Sequence, residues 1–263
     1  MTQDSSKRLP RIFIQHFKSD CQYLDMTEDV MHYVSRVLRL ENGHTVWVCN
    51  GQGFDFPATL EYLGKKSGRF CLKAEPADRL PLELARRIHV VQALPEADKM
   101  EWVIEKATEL GAAAFWPVQA QRSVVKLTGN RANKKTSHWQ KVAASAMLQC
   151  GRGVLPAVHA PAALADTLHA LRQAEPTVQI VWFDPAATLH LHDWARGQAT
   201  GHTAPQQALA ICIGPEGGWA EFETQSALEV GATALRFAQR VLRTETFALA
   251  CLAQLAVLLG LGG

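Results

Sequence analysis

The spacing of apolar positions changes character about a third of the way along the 263-residue chain. Before residue 76 the apolar stretches are short and strand-like: 11–14, 45–49, 54–62 and 69–73, with turn signals at Asn50-Gly51-Gln52-Gly53 and at 64–68. One helix interrupts them. Residues 28–38 place Val30, Tyr33, Val34, Val37 and Leu38 on one face and leave Arg36 and Arg39 off it. Short strands at this spacing predict a small β-barrel, ending before a Pro-flanked linker at 76–81.

From Arg87 onward strands and helices alternate. Apolar runs at 88–94, 114–118, 178–183 and 208–213 predict buried strands. Helical spacing appears at 99–110 (Met100, Val103, Ile104, Ala107, Leu110, then Gly111) and at 133–149, where Trp139, Val142, Ala143 and Ala146 face inward. Further helices are expected at 162–174, after residue 218, and from about Phe247, with a short strand-like run at 234–237 before the last. Such alternation predicts an α/β domain with a largely parallel sheet and ligands at the carboxyl ends of its strands. The expected domains are therefore 1–75 and 82–263.

Composition narrows the class. Hydrophobic residues at 48% and charged residues at 20% are those of a soluble globular chain. No apolar N-terminal stretch follows a basic segment, and the run at 247–259 is interrupted by Gln254 and too short to cross a bilayer. A cytosolic protein is expected. The six cysteines are scattered, and the His190/His192 pair has no third ligand nearby in sequence, so no metal is expected. No P-loop, no G-x-S-x-G elbow and no G-x-G-x-x-G after the first strand of the α/β domain is present, which argues against a P-loop NTPase, a serine hydrolase and an ordinary dinucleotide-binding domain.

The net charge is only +2, yet residues 122–152 hold Arg122, Lys126, Arg131, Lys134, Lys135, Lys141 and Arg152 without one Asp or Glu. Helix faces normally mix signs, so this segment favours contact with phosphates.

Two loops near the C-terminus carry the candidate chemistry. Ile213-Gly214-Pro215-Glu216-Gly217-Gly218-Trp219 follows a buried strand and precedes a helix; its glycines admit a ligand to the backbone and its proline stiffens the turn. Arg240-Val241-Leu242-Arg243-Thr244-Glu245-Thr246 repeats that arrangement before the last helix.

In this order, and together with Arg36-Val37-Leu38-Arg39, Asp98-Lys99-Met100-Glu101-Trp102, Glu105-Lys106-Ala107-Thr108-Glu109-Leu110-Gly111, Arg122-Ser123-Val124-Val125-Lys126, Trp139-Gln140-Lys141 and Gln149-Cys150-Gly151-Arg152, the loops resemble the SPOUT class of RNA methyltransferases, and within it the RsmE family. The resemblance implies a C-terminal SPOUT α/β domain tied in a trefoil knot, a small N-terminal PUA-like β-barrel that grips RNA, and a homodimer packed through the last helix. It implies methylation by S-adenosylmethionine of N3 of one uridine in 16S ribosomal RNA, within an assembled or near-assembled small subunit. Cofactor contacts are then expected from Phe183, Gly214, Pro215, Glu216, Gly217, Gly218, Val241, Leu242, Arg243, Thr244 and Thr246, with Asp184 as a further wall. Arg243 and Arg122 are candidates to stabilise the uridine anion, and Glu245 or Glu216 to take its proton. RNA contacts are expected from Arg36, Arg39, Arg122, Lys126, Lys134, Lys135, Lys141 and Arg152. The chain departs from the family pattern at Ala238-Gln239 and Leu148. A SPOUT enzyme acting on ribose 2′-OH or a transfer RNA base, and a non-catalytic RNA-binding or ribosome assembly factor, remain alternatives.

Overall fold

In the computed structural model, residues 9–15, 17, 21–73, 75–200, 207–238 and 240–261 are described. Gln239, one of the departures from the family pattern, lies outside them. The chain divides into two compact units, residues 1–82 with 151–154, and residues 83–150 with 155–263.

The smaller unit contains β1 (Arg11–Phe13), β2 (Tyr23–Asp25), α1 (Glu28–His32), β3 (Thr45–Cys49), β4 (Phe54–Tyr62), β5 (Gly68–Leu72) and β6 (Ala77–Asp78). Its sheet runs β1-β3-β4-β5-β2, with β6 on β4; every pairing is antiparallel except β1 with β3. Ile12, Val34, Val46, Val48, Ala58, Leu60 and Phe70 form its core. The alternation of Val46, Val48, Ala58 and Leu60 along β3 and β4 turns one face of the sheet to that core.

Two features depart from the sequence expectation. The helix does not run evenly to Leu38: after His32 it widens to a π-helical turn, Tyr33–Val37, closed by Leu38 N donating to Tyr33 O at 2.9 Å. The extra residue in that turn shifts the helical face, so Val34 is fully buried while Val37 is 59% exposed. The stretch expected as a linker is instead part of the unit, since β6 pairs with Phe54 and Asp55 and a 3-10 turn follows at Leu80–Leu82.

Asp55, fully buried, anchors this unit. Arg11 and Arg79 both reach its carboxylate, at 2.8 and 2.9 Å, and Arg11 also donates to the Arg152 carbonyl at 2.8 Å. Gly53 N donates to Gly153 O at 3.0 Å, so residues 151–154 join the small unit although the sequence reading placed them in the α/β domain.

The larger unit comprises β7 (Ile88–Ala93), α2 (Lys99–Glu109), β8 (Ala114–Val118), α3 (Gly129–Cys150), β9 (Ala157–Val158), α4 (Leu164–Ala174), β10 (Gln179–Phe183), α5 (Leu191–Thr200), β11 (Leu209–Ile213), α6 (Glu221–Glu229), β12 (Thr233–Leu235) and α7 (Thr244–Leu258). The strands form one parallel sheet in the order β12-β10-β11-β7-β8-β9. Every residue of β7, β8 and β11 is buried, as expected of a sheet covered on both faces. On one face α2, α3, α5 and α7 pack over Val90, Phe115, Val181 and Ile211. On the other, α4 and α6 cover Val91, Trp116, Trp182 and Cys212. Among the described residues no helix is long and apolar enough to cross a membrane.

Candidate active site

The carboxyl ends of β10, β11 and β12 meet at Phe183, Ile213 and Leu235, and all three residues line a cavity of about 770 Å3. The loop after β11 forms one wall and the loop after β12 the other. Cavities of this size, at the carboxyl ends of parallel strands, are where α/β folds hold small ligands.

The two loops are joined by one hydroxyl. Thr244 Oγ1 donates to Gly214 O at 2.7 Å and accepts from Gln92 Nε2 at 2.8 Å; Gln92 lies on β7 with no exposed surface. Both loops thus hang from a central strand through one fully buried amide side chain. The Gly-rich loop is held at further points. Arg122 donates to Gly217 O at 3.1 Å, and the Glu96 amide donates to Glu216 Oε1 at 3.2 Å. Buried Glu223 accepts from the amides of Ala220 and Gln121, both at 2.9 Å, tying the start of α6 to the segment before Arg122.

Lys99, at the start of α2, stands between one carboxylate from each loop, 3.4 Å from Glu216 and 3.7 Å from Glu245. Behind the Gly-rich loop the Trp219 indole stacks on Trp182, ring centroids 4.4 Å apart. A Cβ on Gly214 would meet Trp219 Nε1 at 3.0 Å, and Gly218 turns with φ +70°, so these two glycines are required by a close approach and by a left-handed backbone respectively. On the opposite side Phe183, Phe237 and Phe247 form an aromatic trio, with Phe247 centred 4.8 Å from Phe183 and 4.7 Å from Phe237.

Of the residues expected at the cofactor, Phe183, Gly214, Pro215, Glu216, Gly218, Val241, Leu242, Arg243 and Thr244 line the cavity, as does Asp184; Gly217 and Thr246 are beside the lining but not in it. Arg243 reaches the cavity, whereas Arg122 is directed to the Gly217 carbonyl and Glu245 lies outside the lining. The expected RNA contacts are dispersed. Arg36 and Arg39 are exposed on the small unit, Arg39 at φ +53°. Lys134 and Lys135 line a hollow at the start of α3 with Asn130, Arg131 and His138, and Lys135 pairs with Asp98 at 2.8 Å, which holds the Asp98 carboxyl below its ordinary range. Lys141 is exposed, and Lys126 donates to Ala120 O at 2.7 Å. Arg152 is only 5% exposed, so its guanidinium is not available to a phosphate in this conformation.

The sequence matches the family model of the RNA methyltransferase domain over residues 82–256 and that of the RNA methyltransferase PUA domain over residues 27–70. It is 32% identical over 247 residues to ribosomal RNA small subunit methyltransferase E of Bacillus subtilis (strain 168), covering 90% of this chain and 92% of the relative. The chain belongs to the ribosomal RNA small subunit methyltransferase E family. A Mycobacterium tuberculosis methyltransferase E is 32% identical over 86% of this chain and 83% of its own length. Among solved structures, methyltransferase E from Neisseria gonorrhoeae, bound to S-adenosyl methionine, has a TM-score of 0.79 at 28% identity and covers 95% of this chain and 98% of its own. A putative methyltransferase from Legionella pneumophila, in complex with the bound cofactor SAM, has a TM-score of 0.81 at 29% identity with the same coverage. The fold is thus the SPOUT-like α/β domain with an N-terminal PUA domain.

The cavity and its supports include residues to which the sequence assigns no role: Gln92, Lys99, Trp182, Trp219, Glu223, Arg236, Phe237 and Arg240. Lys99, Trp219 and Arg240 fall in the stretches that carry the family resemblance, and Gln92 stands out as an amide in the largely apolar run 88–94, whereas Trp182, Glu223, Arg236 and Phe237 carry no such signal.

Proposed function

We propose that this methyltransferase transfers a methyl group from S-adenosylmethionine to N3 of a uridine in the 16S ribosomal RNA of the small subunit, in the cytoplasm. The single observation that carries the reading is the bond from Thr244 Oγ1 to Gly214 O, which closes both loops around one cavity in a chain of this family.

The residues present fit the cofactor. Phe183, Phe237 and Leu242 offer an apolar wall to an adenine ring, and residues 214–216, 218 and 241–244 border the same cavity beside its polar edge. Trp182 and Trp219, which line the cavity, each keep a buried indole N–H with no acceptor among the described residues. A ligand with several acceptor atoms suits them. When bound, S-adenosylmethionine supplies an electrophilic methyl group on a cationic sulfur. Because that reaction is an in-line displacement, the main task of the side chains is alignment.

The uridine N3 proton must also leave. Glu216 is the loop carboxylate that lines the cavity and is assigned as the acceptor of that proton, while Glu245 shares Lys99 with it from outside the lining. Arg243, also in the lining, stands where it can stabilise the uracil anion that results. Arg122 is assigned a supporting role, holding the Gly217 carbonyl.

The same reading takes the C-terminal segment of the α/β domain as threaded through a loop to form a trefoil knot, and α7 as the dimer helix. Beyond its first turn that helix is apolar except for Gln254, and its positions that are not buried include Ala250, Ala253 and Val257, the last 81% exposed. RNA contact is assigned to Arg36 and Arg39 on the small unit and to Lys126, Lys134, Lys135 and Lys141 on the large one.

Mass spectrometry of ribosomal RNA from a strain lacking this gene tests the reading. Loss of a single N3-methyluridine from 16S RNA, restored by the wild-type gene, is expected; an unchanged modification profile would overturn it.

A further inference from the structure

We infer that Arg236 and Arg240, beside Arg243, form a phosphate-binding lip on the cavity, which takes the RNA backbone on either side of the nucleotide whose base enters it. The inference rests on the functional reading above and extends it to two residues to which that reading gives no role.

All three arginines line the cavity and all are exposed. Arg236 directly follows β12, and Arg240 and Arg243 come from the next loop. No carboxylate or carbonyl of the described residues accepts a hydrogen bond from their guanidinium groups. Several other arginines are engaged: Arg69 with Glu61 at 2.7 Å, Arg79 with Asp55 at 2.9 Å, Arg87 with Glu175 at 2.7 Å, and Arg172 with the Val178 carbonyl at 2.7 Å.

Nor do the acids of the cavity answer them. Glu216 is already met by Lys99 and by the Glu96 amide, and the Asp184 carboxylate accepts from the Ala186 amide at 2.8 Å. The lip therefore carries an excess of positive charge in the form of planar donor forks, the side-chain type best matched to phosphate oxygens.

A methyl donor alone cannot balance that charge. S-adenosylmethionine offers one carboxylate against a cationic sulfur and an ammonium, so it leaves guanidinium groups unmatched. A base turned out of its stack into the cavity brings its own flanking phosphates to the rim, at a position set by the length of one nucleotide. Those phosphates supply the missing anions, and the arginines then help to hold the nucleotide in its extruded state.

The experiment uses full-length protein with saturating S-adenosylmethionine and a fluorescein-labelled ten-nucleotide oligouridylate, its affinity measured by anisotropy across a potassium chloride series. The double variant Arg236→Gln/Arg240→Gln is expected to make the slope of log affinity against log salt shallower by about 1.4, two phosphate contacts at about 0.7 each for a single strand. Its affinity for S-adenosylmethionine by calorimetry, which also reports folding, is expected to stay within about twofold of wild type. If the double variant does not fold, Arg236→Gln and Arg240→Gln are measured singly, each expected to lower the slope by about 0.7.

An unchanged slope with cofactor affinity retained overturns the phosphate lip alone. An unchanged slope with cofactor affinity reduced tenfold or more overturns it in favour of the cofactor carboxylate as the partner. Wild-type protein without affinity for S-adenosylmethionine would sink the functional reading itself, and this proposal with it.

Discussion

The hydroxyl of Thr244 and the carbonyl of Gly214 lie 2.7 Å apart, and through that bond two loops thirty residues apart in sequence close on one cavity. Gln92 completes the arrangement by donating to the same hydroxyl from the buried centre of the sheet. A valine at 244 keeps the shape but removes both functions of the oxygen, leaving the Gln92 amide and the Gly214 carbonyl without their partner. Thr244→Val is expected to weaken S-adenosylmethionine binding by roughly 1 to 2 kcal/mol, or about 5- to 30-fold, while Thr244→Ser stays near wild type. Isothermal calorimetry on the three proteins checks this, and equal affinities would show that the loops are held by something else.

Gly214 makes a second, steric demand. A methyl group there would stand 3.0 Å from Trp219 Nε1, and the indole cannot retreat because it is stacked on Trp182. Gly214→Ala is expected to displace Trp219, to alter the near-ultraviolet circular dichroism of the tryptophans, and to lower cofactor affinity by about tenfold, or about 1.4 kcal/mol. Unaltered tryptophan dichroism in the variant would mean that the ring yields more easily than its packing implies.

In the small unit the fully buried Asp55 carboxylate is shared by Arg11 and Arg79. Removing its charge leaves two guanidinium groups in contact with no anion, a defect of about 3 to 5 kcal/mol in buried pairs. Arg79 is partly exposed, so the lower end is expected for Asp55→Asn. Because Arg11 also holds the Arg152 carbonyl, the variant should gain a protease cleavage near residues 151–154. Urea denaturation and limited proteolysis followed by mass spectrometry read the two effects separately.

Acid should destabilise the large unit through two histidines. His89 accepts from Trp116 Nε1 at 3.3 Å, and His159 stacks on the same indole at 3.5 Å between centroids. Burial lowers the pKa of both, in His89 against an opposing pull from Glu175. A depressed histidine pKa means that the fold prefers the neutral ring, so stability is complete above the unfolded value near about 6.5 and is lost as pH falls below it through the folded values. Urea midpoints should therefore drop between pH 7.5 and 5.5, and drop less in His159→Phe, which retains a ring against Trp116. A variant whose midpoint falls as far as wild type would remove His159 from the account.

Local pattern was enough for the elements that bury whole strands or a clear helical stripe. The apolar run that predicts 114–118 is β8, and the stripe of Met100, Val103, Ile104 and Ala107 is the buried face of α2. These signals survive because a covered parallel strand needs apolar side chains on both faces, and a packed helix needs them at three- and four-residue spacing, whatever its neighbours. The glycines and proline of the first loop were likewise legible, since a backbone open to a ligand dictates residue type locally.

Other features depend on partners far along the chain. The two-residue β9 exists only because Ala157 and Val158 pair with Ala114 and Phe115, and α5 offers too few apolar residues to announce itself beyond Leu191, Trp194 and Ala195. Residues 151–154 join the small unit because Gly153 and Arg152 meet Gly53 and Arg11 there, a hundred residues or more away in sequence.

By itself, then, the sequence determined that this protein has a β-rich unit followed by a parallel α/β domain, with ligand-ready loops after its late strands, because periodicity and turn chemistry are properties of neighbouring residues. Only the tertiary structure decided that Gln92, Thr244 and Gly214 form one relay, that Lys99 stands between Glu216 and Glu245, and that three arginines without a partner among the described residues line one cavity. Hydrogen bonds and charge pairs of that kind are set by distances in space, and no spacing along the chain encodes them.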